Sequence, residues 1–177
     1  MNALAENPGA SARRIGWLAL VCLLAGFVAF VAHSSKQLPD RVATHFDLHG
    51  RPNGWMTRAQ HVKFTIGVGV GTPVLILGVF ALVGKMKGWG LNIPNKAFWL
   101  APERQQATFD FLQGHSFWLA GLLIVFHAIL FETVVIANAQ RPVLLSSTHF
   151  VTLLGGFLTL LFVWIVVLLV RFRRPAA

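Results

Sequence analysis

The stretch Phe150–Val170, "FVTLLGGFLTLLFVWIVVLLV", runs for 21 residues without a charged side chain. About 20 apolar residues in a helix cross the roughly 30 Å hydrocarbon core of a bilayer. The whole chain shares this bias, since 55% of its 177 residues are hydrophobic and 12% are charged. So few charges do not cover the surface of a water-soluble domain of this size. The stretch therefore predicts a membrane-spanning helix.

Three further apolar runs precede it, at 15–32, 64–84 and 117–137, and Glu132 is the one charged residue within them. We therefore predict an all-α membrane protein with four transmembrane helices. We predict a disordered N-terminus at 1–12 and a single four-helix domain at 13–177. The predicted spans are at about 15–33, 64–84, 115–137 and 149–170. An outer loop at 34–63 joins the first two spans, and an amphipathic inner loop at 85–114 joins the second and third.

The distribution of Lys and Arg predicts the orientation, because these residues favour the cytoplasmic side. Four spans place both termini on one side. The termini and the inner loop together carry nine Lys and Arg residues, and the remaining segments carry six. We therefore predict cytoplasmic N- and C-termini. The net charge of +9 then anchors the helix ends at the lipid bilayer. It does not indicate a nucleic-acid partner, since no basic patch with interleaved aromatic residues stands apart from the helix ends.

The outer loop contains "LPDRVATHFDLHGRPNGW", from Leu38 to Trp55, which is rich in turn-forming glycine and proline. In an extended chain His45, Asp47 and His49 would point to one side. We expect an ordered loop that packs over the outer ends of the third and fourth spans. Gly50 and Trp55 would then shape its surface.

Glu132 is the most informative single residue, because an acid at the centre of a span costs about 2.5–3.5 kcal/mol. Arg141, His149 and the outer loop are candidate partners, and local hydrogen bonding or snorkelling is the alternative. Imidazole and carboxylate ligands suit zinc, so His45, His49 and Glu132 are also candidate ligands of a divalent metal. No other cofactor is expected, and no catalytic residue is predicted, because the common nucleophile and phosphate-binding motifs are absent from the sequence.

Two other features concern the helices and the inner loop. Pro102 predicts a helix start, because proline is tolerated at the first helical position, and this helix can run into the third span. Gly67 and Gly71 form a small-xxx-small pair that permits close helix packing. The polar and aromatic residues of the inner loop are candidates for carrying a signal to the cytoplasmic side: Asn92, Asn95, Trp99, Glu103 and Arg104.

The two loops resemble those of the SdpI-like family, a bacterial membrane family. The matching residues of the outer loop are Leu38, Pro39, His45, Phe46, Asp47, Gly50, Asn53, Gly54, Trp55 and Arg58. The matching residues of the inner loop are Asn92, Pro94, Asn95, Lys96, Trp99, Pro102, Glu103 and Arg104. The resemblance implies a small multi-pass protein of the bacterial inner membrane. The best-known relatives confer immunity to a secreted peptide toxin and signal to a membrane-bound repressor, but they have further spans.

Together these features favour a non-enzymatic protein of the immunity and signalling type, which binds an extracytoplasmic peptide or another membrane protein through its outer loop. The candidate binding residues are His45, Asp47, His49, Gly50, Trp55, Glu132 and His149. Two alternatives stay open. One is an accessory subunit of a larger membrane complex or a homo-oligomer. The other is a metal-binding membrane enzyme that uses His45, His49 and Glu132.

Overall fold

A computed structural model describes residues 8–173 of the chain. Its elements in chain order are α1 (Pro8–Ser34), a short 3-10 helix (Ser35–Gln37), β1 (Arg41–Phe46), β2 (Pro52–Thr57), α2 (Arg58–Lys85), α3 (Lys96–Trp99), α4 (Pro102–Ala139) and α5 (Ser147–Arg171). Of the N-terminal segment 1–12, for which we predicted disorder, residues 1–7 lie outside this description. The helix α1 begins at Pro8 and so includes the rest of that segment.

Four of the helices are long and apolar enough to cross a membrane, in agreement with the four predicted spans. The chain is therefore a mostly helical, multi-pass membrane protein. The helix α4 has 38 residues and begins at Pro102, as predicted. At 1.5 Å per residue it is about 57 Å long, which exceeds the hydrocarbon core.

The predicted outer loop contains a β-hairpin, so the prediction of a purely α-helical fold was incomplete. Strands β1 and β2 pair in antiparallel register, with Val42 opposite Met56 and Ala43 opposite Trp55. The helix α2 then begins at Arg58, earlier than the predicted position 64. The reason is a capping box, in which the side chains of Thr57 and Gln60 each bind the backbone of the other residue.

The helix α4 lies at the centre of the bundle and packs against α1, α2 and α5. The main core includes Phe27 and Val31 of α1, Leu77 of α2, and Ile124 and Phe131 of α4. We call the end of the bundle that carries β1 and β2 the hairpin end.

The close contact between α1 and α2 occurs at Gly69, and among the described residues Gly67 and Gly71, for which we predicted close helix packing, make no such contact. A Cβ atom added at Gly69 would lie 2.3 Å from Cζ of Phe27, whereas one added at Gly67 or Gly71 would meet nothing within 4 Å. Position 69 lies on the opposite face of α2 from these two glycines, because two residues correspond to about 200° of helical rotation.

A second apolar cluster lies at the opposite end of the bundle, and it includes Trp99 and Phe172. The side chains of Asn95 and Trp99 both donate a hydrogen bond to the backbone oxygen of Phe172, at 3.2 Å each. Thr108 donates to the backbone oxygen of Trp99 at 2.9 Å. These bonds attach the end of α5 to the loop between α2 and α4.

The helix α5 packs on α4 and has no buried residue along its length. The two helices are joined by a reciprocal pair. The Nε2 atom of His115 donates to the backbone oxygen of Trp164 at 3.0 Å, and Nε1 of Trp164 donates to the backbone oxygen of His115 at 2.9 Å. These two rings also stack, with centroids 4.4 Å apart. The rest of α5 presents apolar side chains suited to lipid contact.

Candidate functional site at the hairpin end

Asp47 organises the turn between β1 and β2. Its Oδ1 atom accepts hydrogen bonds from the backbone N–H groups of His49 and Arg51, at 2.8 Å each. Its backbone oxygen accepts from the N–H of Gly50 at 2.9 Å. The N–H group of Arg51, followed by that of His49, holds the pKa of the Asp47 carboxyl below its usual value, because both bonds favour the charged form.

The Asp47→Ala variant is expected to lose protection of the His49 and Arg51 amides against hydrogen exchange, because it lacks the acceptor oxygen. In the unmodified protein, the pKa of the Asp47 carboxyl is lower in the folded state than in the unfolded chain. The ionised carboxyl therefore stabilises the turn fully above the unfolded-state pKa, and this stabilisation is lost as the pH falls through the folded-state pKa. Protection factors measured across this acid range would therefore decrease.

The matched control is Asp47→Asn, whose amide oxygen can accept the same two hydrogen bonds. This variant should keep the protection of both amides, and the protection should no longer change with pH in the acid range. Equal protection in the alanine variant and the unmodified protein would show that the carboxylate does not hold the turn.

The turn is docked on the connection between α4 and α5. The N–H group of Leu145 donates to the backbone oxygen of Gly50 at 2.9 Å. Gly50 has a φ of +75°, in the left-handed region, and an added Cβ would lie 2.1 Å from the oxygen of Leu145. Glycine is therefore required here both by the backbone conformation and by the close approach.

Asn138, near the end of α4, holds β1. Its Oδ1 atom accepts from the N–H of Ala43 at 2.8 Å, and its Nδ2 donates to the oxygen of Ala43 at 2.9 Å. The side chain is 1% exposed. We did not select Asn138 from the sequence. The sequence did contain one indication, because Asn138 follows an apolar run closely. A side-chain amide buried at such a position is unfavourable unless it is hydrogen-bonded.

The two strands differ in the hydrogen bonding of the edge that faces away from the other strand. The backbone groups of Ala43 point away from β2, towards Asn138, so the pair Ala43–Trp55 is of the non-hydrogen-bonded kind. The N–H and C=O groups of Trp55 therefore point away from β1 as well. Within residues 8–173 no side chain caps them as Asn138 caps Ala43. The edge of β2 is thus open at Trp55.

Two large apolar side chains are exposed at the hairpin. Leu48, in the turn, is 95% exposed, and Trp55 is 42% exposed. The guanidinium of Arg41 lies over the ring of Trp55, 5.2 Å from its centroid. His49 is also exposed on the turn. We call Leu48, Trp55 and the open edge of β2 the hairpin surface.

A cavity of about 210 Å³ lies between the hairpin, α2 and α4, and His45 lies on its wall. His61 of α2 and His127 of α4 line the same cavity. We call it the histidine cavity. We did not select His61 or His127 as site residues from the sequence, because nothing local in the chain indicates that they approach His45.

Glu132 and His149 line a second cavity, of about 350 Å³, between α4 and α5. The structure therefore places Glu132 on the wall of the same cavity as His149, one of its candidate partners. The Oε2 atom of Glu132 is buried and has no hydrogen-bond partner among the described residues. Arg141, another of the candidates, donates instead to the backbone oxygens of Asn138 and Gln140.

The candidate metal ligands are not brought together. His45 lies in the histidine cavity, Glu132 lies in the second cavity, and His49 is on the exposed turn. Among residues 8–173, no three or more His, Cys, Asp or Glu side chains are grouped so that they could hold a metal ion.

The candidate residues of the loop between α2 and α4 lie at the opposite end of the bundle. Asn95 and Trp99 bind the end of α5, as described above. The guanidinium of Arg104 lies 4.0 Å from the ring centroid of Phe98. Asn92 and Glu103 are exposed. The contacts of this loop therefore support the fold at that end.

Comparison with curated proteins found no match, and comparison with solved structures found none either. A family model does match part of the chain. The matched part extends from α1 through the hairpin to the first half of α2, and it includes His45, Asp47, Trp55 and His61. Residues 18–68 match the model of a domain of unknown function (DUF1648).

Proposed function

We propose that this is a non-enzymatic membrane protein that binds a peptide or protein partner at the hairpin surface. The observation that carries the proposal is the difference between the two strand edges. Asn138 occupies the edge of β1, whereas the edge of β2 is open at Trp55. An exposed strand edge can accept an extended segment of another chain through main-chain hydrogen bonds.

The hairpin is suited to this role because it is held in place before any partner binds. Asp47 fixes the turn, Asn138 fixes β1, and Leu145 fixes Gly50. A surface that is already ordered loses little conformational entropy on binding. The exposed side chains of Leu48 and Trp55 would add apolar contacts to these main-chain bonds.

We predict that the chain lies in the cytoplasmic membrane of a bacterium with both termini in the cytoplasm. In this orientation the hairpin is on the outer side of the membrane. The partner we propose is therefore an extracytoplasmic peptide or the exposed segment of another membrane protein. The resemblance to the SdpI-like family supports a peptide, since the best-known relatives respond to one.

Site-specific photocrosslinking tests the proposal. A photoreactive phenylalanine derivative at position 48, in the full chain in native membranes, is expected to form an adduct of defined mass. Trp55→Pro removes the outward N–H group, and proline is tolerated at a strand edge. The adduct should decrease about fivefold, as expected for the loss of a hydrogen bond of about 1 kcal/mol.

Two controls make the result specific. Trp55→Phe keeps the N–H group and an aromatic ring, and it should retain the adduct. The same photoreactive residue at position 160, on the exposed face of α5, should give lipid adducts only. The proposal is wrong if position 48 yields no defined adduct, or if Trp55→Pro leaves its yield unchanged.

A further inference from the structure

The histidine cavity is separate from the hairpin surface and from the cavity that holds Glu132. Its walls come from the hairpin, from α2, which follows the hairpin directly, and from α4, which is distant from both in sequence. The hairpin contributes His45 and Met56, α2 contributes residues from His61 to Val68, and α4 contributes residues from His127 to Val134. All of its lining residues therefore belong to the segment that matches the family model or to the C-terminal half of α4.

His61 is the unusual residue of this wall. Its side chain is 7% exposed, and neither Nδ1 nor Nε2 has a hydrogen-bond partner in the part of the chain that the structure describes. Its ring stacks on Phe131, with centroids 5.4 Å apart and planes at 18°. A neutral imidazole carries one donor and one acceptor, and burial of both without partners is unfavourable. A bound molecule with a suitable polar group would reduce this cost by pairing one of the two nitrogens.

Only one of the two ring nitrogens of His127 has a hydrogen-bond partner among the residues that the structure describes. Its Nδ1 lies 2.7 Å from the backbone oxygen of Leu123. A carbonyl oxygen only accepts, so Nδ1 carries the proton and donates, and Nε2 of the neutral ring remains an acceptor. His45 contacts the hydroxyl of Thr44 through Nδ1 at 3.2 Å.

The rest of the lining favours a neutral ligand over a charged one. Apart from the three histidines and two threonines, the wall consists of apolar side chains, and it contains no Lys, Arg, Asp or Glu. A formal charge would lose its hydration here without gaining a counter-charge. A neutral molecule with a group that both donates and accepts fits such a wall, and a hydroxyl is the simplest group of that kind.

The size of the cavity limits the rest of the molecule. An apolar cavity of about 150 Å³ in another protein binds benzene. At about 210 Å³, the histidine cavity has room for one six-membered ring with a small substituent. Phe64 and Phe131 provide aromatic wall surface for such a ring.

We propose that the histidine cavity binds a small neutral phenol. The ring occupies the apolar part of the cavity, and the hydroxyl accepts a hydrogen bond from the ring N–H of His61 and donates its one hydrogen to Nε2 of His127. Nothing in this binding requires a partner at the hairpin surface, so it is independent of the function proposed above.

The test compares two probes of nearly equal ring size, 4-fluorophenol and fluorobenzene, on the full chain in phosphatidylcholine nanodiscs. Fluorine NMR is expected to show saturable binding of 4-fluorophenol above the partitioning into empty nanodiscs. Fluorobenzene lacks the hydroxyl and should bind at least about tenfold more weakly. Histidine ring nitrogen signals should shift with 4-fluorophenol and not with fluorobenzene.

The matched variants are His61→Phe and His33→Phe. The first removes both unpaired nitrogens and keeps an aromatic ring, so it should lose the preference for 4-fluorophenol. The second replaces an exposed histidine that lines neither cavity and should bind like the unmodified protein. Val68→Trp should fill the cavity and abolish saturable binding of both probes.

Three outcomes overturn the proposal. They are the absence of saturable binding, equal binding of the two probes to the unmodified protein, and an unchanged preference in His61→Phe. Should His61→Phe fail to fold, the comparison of the two probes on the unmodified protein still decides whether the hydroxyl is recognised. Thermal unfolding of each variant establishes which of them fold.

Discussion

Replacement of Asn138 by leucine is expected to lower the free energy of unfolding by about 2–5 kcal/mol, because it leaves two buried backbone groups without partners. The amide of Asn138 binds both the N–H and the C=O of Ala43, and the side chain is 1% exposed. Leucine has a similar branched shape but offers neither a donor nor an acceptor. Water cannot easily replace the lost bonds at a site that is this buried.

The decrease in the free energy of unfolding is measured by unfolding the purified full chain with increasing fractions of sodium dodecyl sulfate. Hydrogen exchange should show in parallel that the amide of Ala43 becomes unprotected. The matched control is Asn92→Leu, because Asn92 is exposed, and this variant should unfold like the unmodified protein. If Asn138→Leu keeps both the midpoint and the protection of Ala43, Asn138 does not hold the hairpin.

Replacement of Gly69 by alanine is the second change with a large expected effect. The added Cβ would lie 2.3 Å from Cζ and 2.5 Å from Cε1 of Phe27, a side chain that is itself buried in the core. Overpacking of this kind typically costs about 1–3 kcal/mol, because side chains or helices must shift. The unfolding midpoint should therefore decrease, as measured by the same detergent titration.

Gly67→Ala and Gly71→Ala are the controls for this prediction. They lie on the same helix, and an added Cβ meets nothing within 4 Å at either position. Alanine is favoured over glycine in a helix interior by about 1 kcal/mol. Both variants should therefore be at least as stable as the unmodified protein. Equal effects at all three positions would contradict the close contact between Gly69 and Phe27.

The outer loop shows how far local sequence signals extend. The glycine and proline turns indicated an ordered loop, and the segment that contains β1 alternates as an extended strand does. The strand β2 begins with Pro52, Asn53 and Gly54, which are residue types that are depleted in strands. Its strand conformation results from pairing with β1, whose position is fixed by Asn138.

The candidate site was predictable only in part, for a similar reason. Glu132 stood out because an acid is costly within a span, and in the structure it lines the same cavity as His149. His45, by contrast, shares its cavity with His61 and His127. These three histidines lie on different elements, and their meeting depends on how α2 and α4 pack.

The amino-acid sequence by itself determined the four membrane-spanning helices and the start of α4 at Pro102. These features are local, since a helix in lipid satisfies its backbone hydrogen bonds within one segment and needs only sufficient apolar length. Only the tertiary structure decided that Ala43 meets Asn138, that Gly69 contacts Phe27, and that three histidines share one cavity. Each of these contacts joins residues from separate elements, and side-chain packing between helices selects them.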